Sequence, residues 1–180
     1  MKHSIGSIIF ISLLIPNLVL SVQPEKLVEI TIISEEIVSS PQESEEILWL
    51  ARVIYSETKN EDEMRLIAWV VRNRVENDYW GDTTYRSVVT RKNQFSGLNS
   101  YDSQYEHNIS LTYEDKYKVW RKALVVATEI YHANENVRPF DKNVQHFYSP
   151  HVVATPDWAN EDKHAFSTHS NTFAFYKGVK

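Results

Sequence analysis

The stretch that decides the fold is SPQESEEILWLARVIYSETKNEDEMRLIAWVVRNRVEN, residues 40–77. Its opening combines a capping hydroxyl, a proline suited to the first helical position and a glutamate that caps in return: Ser40, Pro41 and Glu43. Apolar residues then recur at helical spacing over the next turns. The pattern predicts a helix with one buried face that ends near Glu57 or Thr58, in a folded domain that spans residues 41–180.

A second helix follows after a short break in the pattern. Asn60 and Glu63 repeat the capping arrangement, and apolar residues line one side of the run as far as Val75. This predicts a helix that reaches about Asn77. The two helices therefore meet at a corner beside Glu57.

A third helix is predicted nearer the carboxyl terminus. Thr112 and Asp115 form a further capping pair, and a stripe of apolar residues that includes Trp120 continues to about Ala133. Loss of periodicity predicts that the helix ends there.

Extended segments are predicted in the remaining chain. The polar stretch 78–111 has one strand or hairpin candidate, at residues 94–97, and residues 146–148 and 172–176 read as short strands. Helices separated from short strands indicate an α+β class that is mainly helical. A chain of 180 residues has room for one such domain.

Composition excludes several classes of function. The chain has no cysteine, so it has neither disulfides nor a thiolate nucleophile. It carries 19 basic and 24 acidic residues, and this negative balance argues against nucleic acid as a partner. Aromatic residues make up 12% of the chain, which fits either a well-packed core or a groove that stacks on sugar rings.

The amino terminus has the pattern of a secretory signal. Lys2 and His3 precede an uncharged apolar run, residues 5–20, with small residues flanking a cleavage point after Ser21. Residues 1–21 are therefore predicted to be a signal peptide that directs export to the periplasm, cell wall or extracellular space. A permanent membrane span is the weaker alternative because the run is short and contains Pro16. Residues 22–40 are predicted to be an acidic tether, or to contribute a short strand.

Glu57 is the candidate for acid chemistry. It lies at the carboxyl end of the first predicted helix, where the helix dipole disfavours a second negative charge. Burial by the apolar residues before it acts in the same direction, so its pKa is expected to be raised. A glutamate that stays protonated is suited to protonate a glycosidic oxygen. The alternative is a surface glutamate on a frayed helix end.

A resemblance strengthens the first interpretation. Residues 50–61, LARVIYSETKNE, and residues 67–75, IAWVVRNRV, resemble the signature of the spore cortex-lytic (SleB-like) cell-wall hydrolase family, and further matches follow in family order across about residues 44–178. The resemblance implies a lysozyme-like fold, peptidoglycan glycan strands as the substrate, and Glu57 as the catalytic acid. It also implies sugar contacts from the matching segments, at Gln94, Phe95, Ser96, His146, Tyr148 and Trp158. Tyr55, two residues before the acid, is a further candidate for the groove wall.

The chain departs from the family pattern around the acid and at its end. Ser56, Thr58 and Asn60 stand where the family often has glycine, alanine and glycine. Phe173 stands where the family tends to have a histidine, so any role of that histidine is in doubt here.

Several mechanisms remain open at this level. A lytic transglycosylase needs only one acid/base residue and no cofactor, whereas a hydrolase with two carboxylates needs a partner for Glu57. The candidate partners are Glu61, Asp102, Glu106 and Asp157. A zinc amidase or peptidase that uses the carboxyl-terminal histidines is a rival, although no His-Glu-x-x-His motif is present. The other rival is a wall-binding module without catalysis.

Overall fold

The computed structural model describes residues 40–179. The predicted signal peptide and nearly all of the predicted tether lie outside these residues. Within residues 40–179 the α-helices are α1 (Pro41–Glu57), α2 (Glu61–Glu76), α3 (Tyr85–Thr90), α4 (Tyr105–Ser110) and α5 (Lys118–His132). The strands are β1 (Val144–Tyr148), β2 (His164–Ser167) and β3 (Ala174–Lys177). The described part is a mainly helical α+β domain, as the sequence predicts.

The first helix begins and ends where its sequence predicts. Ser40 Oγ accepts a hydrogen bond from the Glu43 amide at 3.1 Å, and the Glu43 carboxylate accepts one from the Ser40 amide at 3.2 Å. These reciprocal bonds satisfy amides that a helix start leaves free. At the other end the Thr58 amide donates to the Ile54 carbonyl, which closes the helix just after Glu57.

The start of α2 is attached to the end of α1. Asn60 Oδ1 accepts bonds from the amides of Asp62 and Glu63, which confirms the predicted cap. The Thr58 hydroxyl donates to the buried Glu63 carboxylate at 2.6 Å. This bond between the turn and α2 fixes the corner in which Glu57 lies.

The third long helix begins later than predicted. Thr112 and Asp115 do form the expected side-chain bonds, but the chain only turns there, and α5 starts at Lys118. The Thr112 carbonyl accepts the indole N–H of Trp120 at 2.7 Å, so the carbonyl that would open an earlier helix bonds a side chain. The predicted end near Ala133 is confirmed, since Ala133 is the C-cap.

The strands form one antiparallel sheet in the order β1-β3-β2. β1 and β3 overlap the two predicted strand segments, but β1 begins two residues earlier and β3 begins two residues later than predicted, and the sequence did not predict β2. The predicted strand or hairpin at residues 94–97 is wrong, because the chain there enters a 3₁₀ turn, Ser96–Leu98. The short helices α3 and α4 were also not predicted from the polar stretch 78–111.

The core joins the helices to the sheet. α5 packs against both α1 and α2, and β1 packs against α2. Trp120 on α5 and Phe175 on β3 are fully buried, so part of the aromatic content belongs to the core. Among residues 40–179, no helix combines the length and the hydrophobicity that a membrane-spanning helix needs.

Candidate active site

Glu57 forms part of the wall of a cleft of about 520 Å³. The cleft is built from five parts of the chain: the end of α1, Arg74 on α2, the segment after α3, the end of β1 with the loop that follows it, and the loop that precedes β3. Its lining residues are Ser56, Glu57, Arg74, Asn93, Gln94, Ser96, Asn99, Tyr101, Phe147, Tyr148, Ser149, Val152, Val153, Trp158, Thr172 and Phe173. The volume is in the range of small-molecule binding sites and accommodates sugar rings.

The Glu57 carboxyl group is largely withdrawn from solvent. The residue as a whole is partly exposed to the cleft, but its Oε1 is buried and has no hydrogen-bond partner among the described residues. Burial raises the pKa of Glu57 to about 7, and the negative charge of Asp102 acts in the same direction. The positive charges of Arg74 and Lys59 oppose this rise in pKa. A large share of Glu57 therefore carries a proton near neutral pH.

Arg74 is the buried cation of the cleft. Its Nε donates to the Gln145 carbonyl at 2.6 Å and its Nη1 donates to Gln94 Oε1 at 3.1 Å. Its guanidinium also lies 5.1 Å from the ring centroid of Phe95. Burial lowers the pKa of Arg74 to about 10, so it remains positively charged at neutral pH. Arg74 thus orients the Gln94 amide and places a positive charge near Glu57.

Aromatic side chains form another wall of the cleft. The rings of Tyr148 and Trp158 meet edge to face at 5.9 Å, and Trp158 meets Tyr176 in the same way at 5.5 Å. Fixed aromatic rings offer an apolar surface against which the C–H face of a sugar can pack. Gln94 and this wall together supply both the polar and the apolar contacts that a sugar requires.

A neighbouring cavity of about 350 Å³ adjoins the cleft through the shared lining residues Ser56 and Ser96. Tyr55, Lys59 and Asp102 line this neighbouring cavity. The end of α1 is tightly packed between the two cavities. A Cβ atom on Gly97 would come within 2.8 Å of Ser56 Cβ, so a larger residue at position 97 would displace the segment that carries the acid.

Comparison with known proteins identifies the family. The model of the cell wall hydrolase family matches residues 58–176, about two thirds of the chain. The chain belongs to the SleB-like cell wall hydrolase family. Membership of this family indicates that the substrate of this cell wall hydrolase is peptidoglycan. The match begins one residue after Glu57, so the assignment of the acid depends on the site geometry. The chain has no significant match among curated proteins or among solved structures.

Four of the predicted sugar-contact residues of this cell wall hydrolase line the cleft beside Glu57: Gln94, Ser96, Tyr148 and Trp158. The structure places the others elsewhere. Phe95 is only 2% exposed and packs into the core against Phe147. Tyr55 lines the neighbouring cavity and meets Trp120 edge to face.

His146 also lies away from the cleft. It is buried, its Nε2 lies 2.7 Å from the Tyr79 hydroxyl, and its ring lies 5.1 Å from that of Trp158. His146 is not among the residues that line the cleft, although the next two residues of β1, Phe147 and Tyr148, both line it. Burial lowers the pKa of His146 to about 3. A neutral, enclosed imidazole supports Trp158 from behind and does not contact a sugar in the cleft.

The cleft of this cell wall hydrolase also contains residues that sequence reasoning missed. Tyr101 is highly exposed and donates from its hydroxyl to Asn93 Oδ1 at 2.9 Å. Asn93 adopts a positive φ of 64°. Asparagine tolerates this conformation better than most residues, so an asparagine just before Gln94 was the sequence signal that could have indicated a turn here. Phe173 lines the cleft as an apolar residue.

The structure does not bring the carboxyl-terminal histidines into a metal-binding arrangement. Within residues 40–179 no three histidine, aspartate or glutamate side chains lie close enough to hold a metal ion. His164 instead lies 3.0 Å from the Ser167 hydroxyl. The geometry thus gives the zinc peptidase hypothesis no support.

Proposed function

We propose that this cell wall hydrolase is a lytic transglycosylase that cleaves the glycan strands of peptidoglycan, with Glu57 acting first as the general acid and then as the general base. The observation that carries the proposal is the Glu57 carboxyl group at the cleft wall, with its buried, unpaired Oε1 and its pKa of about 7. A group with this pKa can donate a proton and then accept one at neutral pH.

The proposed reaction uses the Glu57 carboxyl group twice, first to donate a proton and then to accept a different one. The Glu57 carboxyl group donates its proton to the glycosidic oxygen as the bond from C1 of muramic acid to that oxygen breaks, and the leaving strand departs with a hydroxyl group. The Glu57 carboxylate then removes the proton from the muramic acid 6-hydroxyl, whose oxygen bonds to C1. A 1,6-anhydro ring forms, Glu57 regains its proton, and no water is consumed.

The surrounding residues suit both halves of this cycle. Burial keeps Glu57 protonated before bond cleavage, whereas the positive charge of Arg74 stabilises the carboxylate that exists between the two steps. Gln94, held by Arg74, is proposed to hydrogen-bond the substrate. Tyr148 and Trp158 are proposed to pack against a sugar ring.

One observation favours a second candidate, a two-carboxylate hydrolase. The charge of Asp102 raises the pKa of Glu57, which means that the two carboxyl groups interact across the site. In that mechanism Asp102 activates a water molecule or attacks C1 directly, and the new end is a reducing sugar. Asp102 lines the neighbouring cavity that adjoins the cleft, whereas Glu61, Glu106 and Asp157 line neither the cleft nor that cavity and are less suitable partners.

The two mechanisms are distinguished by digestion of purified sacculi in ¹⁸O-labelled water, followed by mass spectrometry of the released fragments. The proposal predicts anhydro-muramic ends without ¹⁸O, and activity that survives Asp102→Asn but falls about 10²–10⁴-fold in Glu57→Gln. The matched control is Glu106→Gln, at an exposed glutamate of α4. Reducing ends that carry ¹⁸O, together with loss of activity in Asp102→Asn, would establish the hydrolase instead.

A further inference from the structure

A second cavity, separate from the catalytic cleft, lies beside the 3₁₀ turn Tyr79–Gly81. Its volume is about 420 Å³, and its lining includes Asp78, Trp80, Asn143 and Gln145. Trp80 is 54% exposed, which is unusual for the largest of the apolar side chains. None of the residues that line this cavity also lines the cleft at Glu57.

The backbone that presents Trp80 is in an unfavourable conformation. Asp78 and Trp80 both have left-handed angles, with φ of 48° and 55°, and Gly81 follows at 82°. A bulky residue rarely adopts a positive φ, whereas glycine or asparagine would do so readily at position 80. The turn geometry therefore does not explain the tryptophan, and backbone strain of this kind is typical of ligand-binding positions.

The Trp80 ring is held in place before any ligand arrives. Tyr79 stacks on it at 4.6 Å, and the Arg91 guanidinium lies 5.3 Å from its centroid. Arg91 also donates to the Trp80 carbonyl at 3.0 Å and pairs with the Asp82 carboxylate. A ring that is already ordered loses little conformational entropy when a ligand binds to its exposed part.

The other groups in the cavity are those that recognise sugar hydroxyls. The amides of Asn143 and Gln145 offer both donors and acceptors, the Asp78 carboxylate accepts, and the Trp80 indole N–H donates. An aromatic surface beside amides and a carboxylate suits the alternating C–H and hydroxyl faces of a sugar. The same mixture suits an anionic polymer poorly, because Asp78 would repel it.

The cavity is connected to the cleft through β1. Gln145 lines the second cavity, while its carbonyl accepts a hydrogen bond from Arg74 of the cleft. Tyr79 is linked through His146 to Trp158, also of the cleft. A glycan bound beside Trp80 is therefore held close to the catalytic cleft.

We propose that the Trp80 cavity is a second glycan-binding site, which holds an amino-sugar strand of the wall while another strand occupies the cleft. The inference rests on the peptidoglycan substrate of the family and not on the transglycosylase mechanism. Its effect is to raise the affinity for polymeric wall, because two linked binding events reinforce each other.

The first test is co-sedimentation with purified sacculi in a Glu57→Gln background, in which the wall is not digested. Trp80→Asn removes the ring but suits the left-handed backbone, so we expect about tenfold weaker binding with an unchanged or higher Tm. The matched control is Tyr113→Ala, another exposed aromatic residue that lines neither cavity, and it should bind as the parent does. Unaltered binding of the Trp80→Asn protein would overturn the proposal.

The second test locates the bound glycan by NMR of ¹⁵N-labelled tryptophan indoles. The Trp80 signal, identified by its absence in Trp80→Asn, should shift when soluble glycan strands are added to the Glu57→Gln protein. It should shift also in Trp158→Ala, in which the cleft wall is altered. An unmoved Trp80 signal, or a shift that disappears with Trp158→Ala, would contradict a separate site. Because both tests measure binding, they remain decisive even if the proposed catalytic mechanism fails.

Discussion

Replacing Glu57 by glutamine should change how the stability of the protein depends on pH. Burial raises the pKa of Glu57 from its ordinary 4.5 to about 7, so the folded protein prefers the protonated carboxyl group. The resulting stabilisation is fully present below pH 4.5. It is lost as the pH rises through 7, because the unfolded chain ionises freely while the folded one resists. Each pKa unit corresponds to about 1.4 kcal/mol, which gives a loss of about 3 kcal/mol as an upper figure.

Partial exposure of Glu57 to the cleft reduces that figure, and we expect a loss of about 1–3 kcal/mol. The glutamine variant cannot ionise at this position, so it does not undergo this loss. Between pH 4 and pH 8, its free energy of unfolding should therefore rise by about this amount relative to that of the natural protein.

The assay is urea unfolding of both proteins at intervals between pH 4 and pH 8. The free energy of unfolding of the natural protein should fall relative to that of Glu57→Gln between pH 4.5 and 7 and then level off. Glu106→Gln removes an exposed glutamate and serves as the control for the loss of one negative charge. Parallel pH profiles for the natural protein and Glu57→Gln would refute the reasoning, since they would mean that folding does not perturb this carboxyl group.

Three further predictions concern the surroundings of the acid. Arg74→Met removes a positive charge that lowers the pKa of Glu57, so the alkaline limb of the rate-against-pH profile should move to higher pH; a shift to lower pH would contradict this role. Gly97→Ala places a Cβ atom 2.8 Å from Ser56 Cβ. It should lower the free energy of unfolding by about 1–3 kcal/mol and should also lower the rate of fragment release. An unchanged Tm would show that the packing at Ser56 is looser than described. Treatment with EDTA should leave fragment release unchanged, since no metal-binding cluster occurs within residues 40–179. Loss of activity with EDTA and its recovery with zinc would instead support the metal-dependent alternative.

The long amino-terminal helices could be predicted because their signals are local. Ser40 with Glu43, and Asn60 with Glu63, act on backbone amides within three residues, so the sequence alone indicates where α1 and α2 begin. Thr112 shows the limit of such signals. Its bonds to an acidic residue three positions on formed as predicted, yet they cap a turn.

The short elements could not be predicted because distant residues stabilise them. The first amide of α3, at Tyr85, donates to the carboxylate of Glu46 on α1. Asn108 of α4 donates to the carbonyl of Gly97, in the turn that replaces the predicted hairpin. A helix of six residues is too short to be stable on its own, so its existence depends on these tertiary contacts.

The site was predictable only in part, for a similar reason. Glu57 could be proposed as the acid from its helix end and from the resemblance to the family, and a raised pKa was expected there. The burial that makes the largest contribution to this rise depends on how distant segments enclose the helix end. Matching motifs also selected Phe95 and His146, but only the three-dimensional packing shows that these two side chains are buried and do not line the cleft.

The central claim is that Glu57, at the cleft of the folded protein, carries a proton near neutral pH. The most direct measurement is NMR titration of its ¹³C-labelled side-chain carboxyl carbon, whose signal is assigned by comparison with Glu57→Gln. The account predicts a titration midpoint near pH 7. A midpoint near the ordinary value of 4.5 would contradict it, because the carboxyl group would then be ionised at neutral pH and unable to act as the acid.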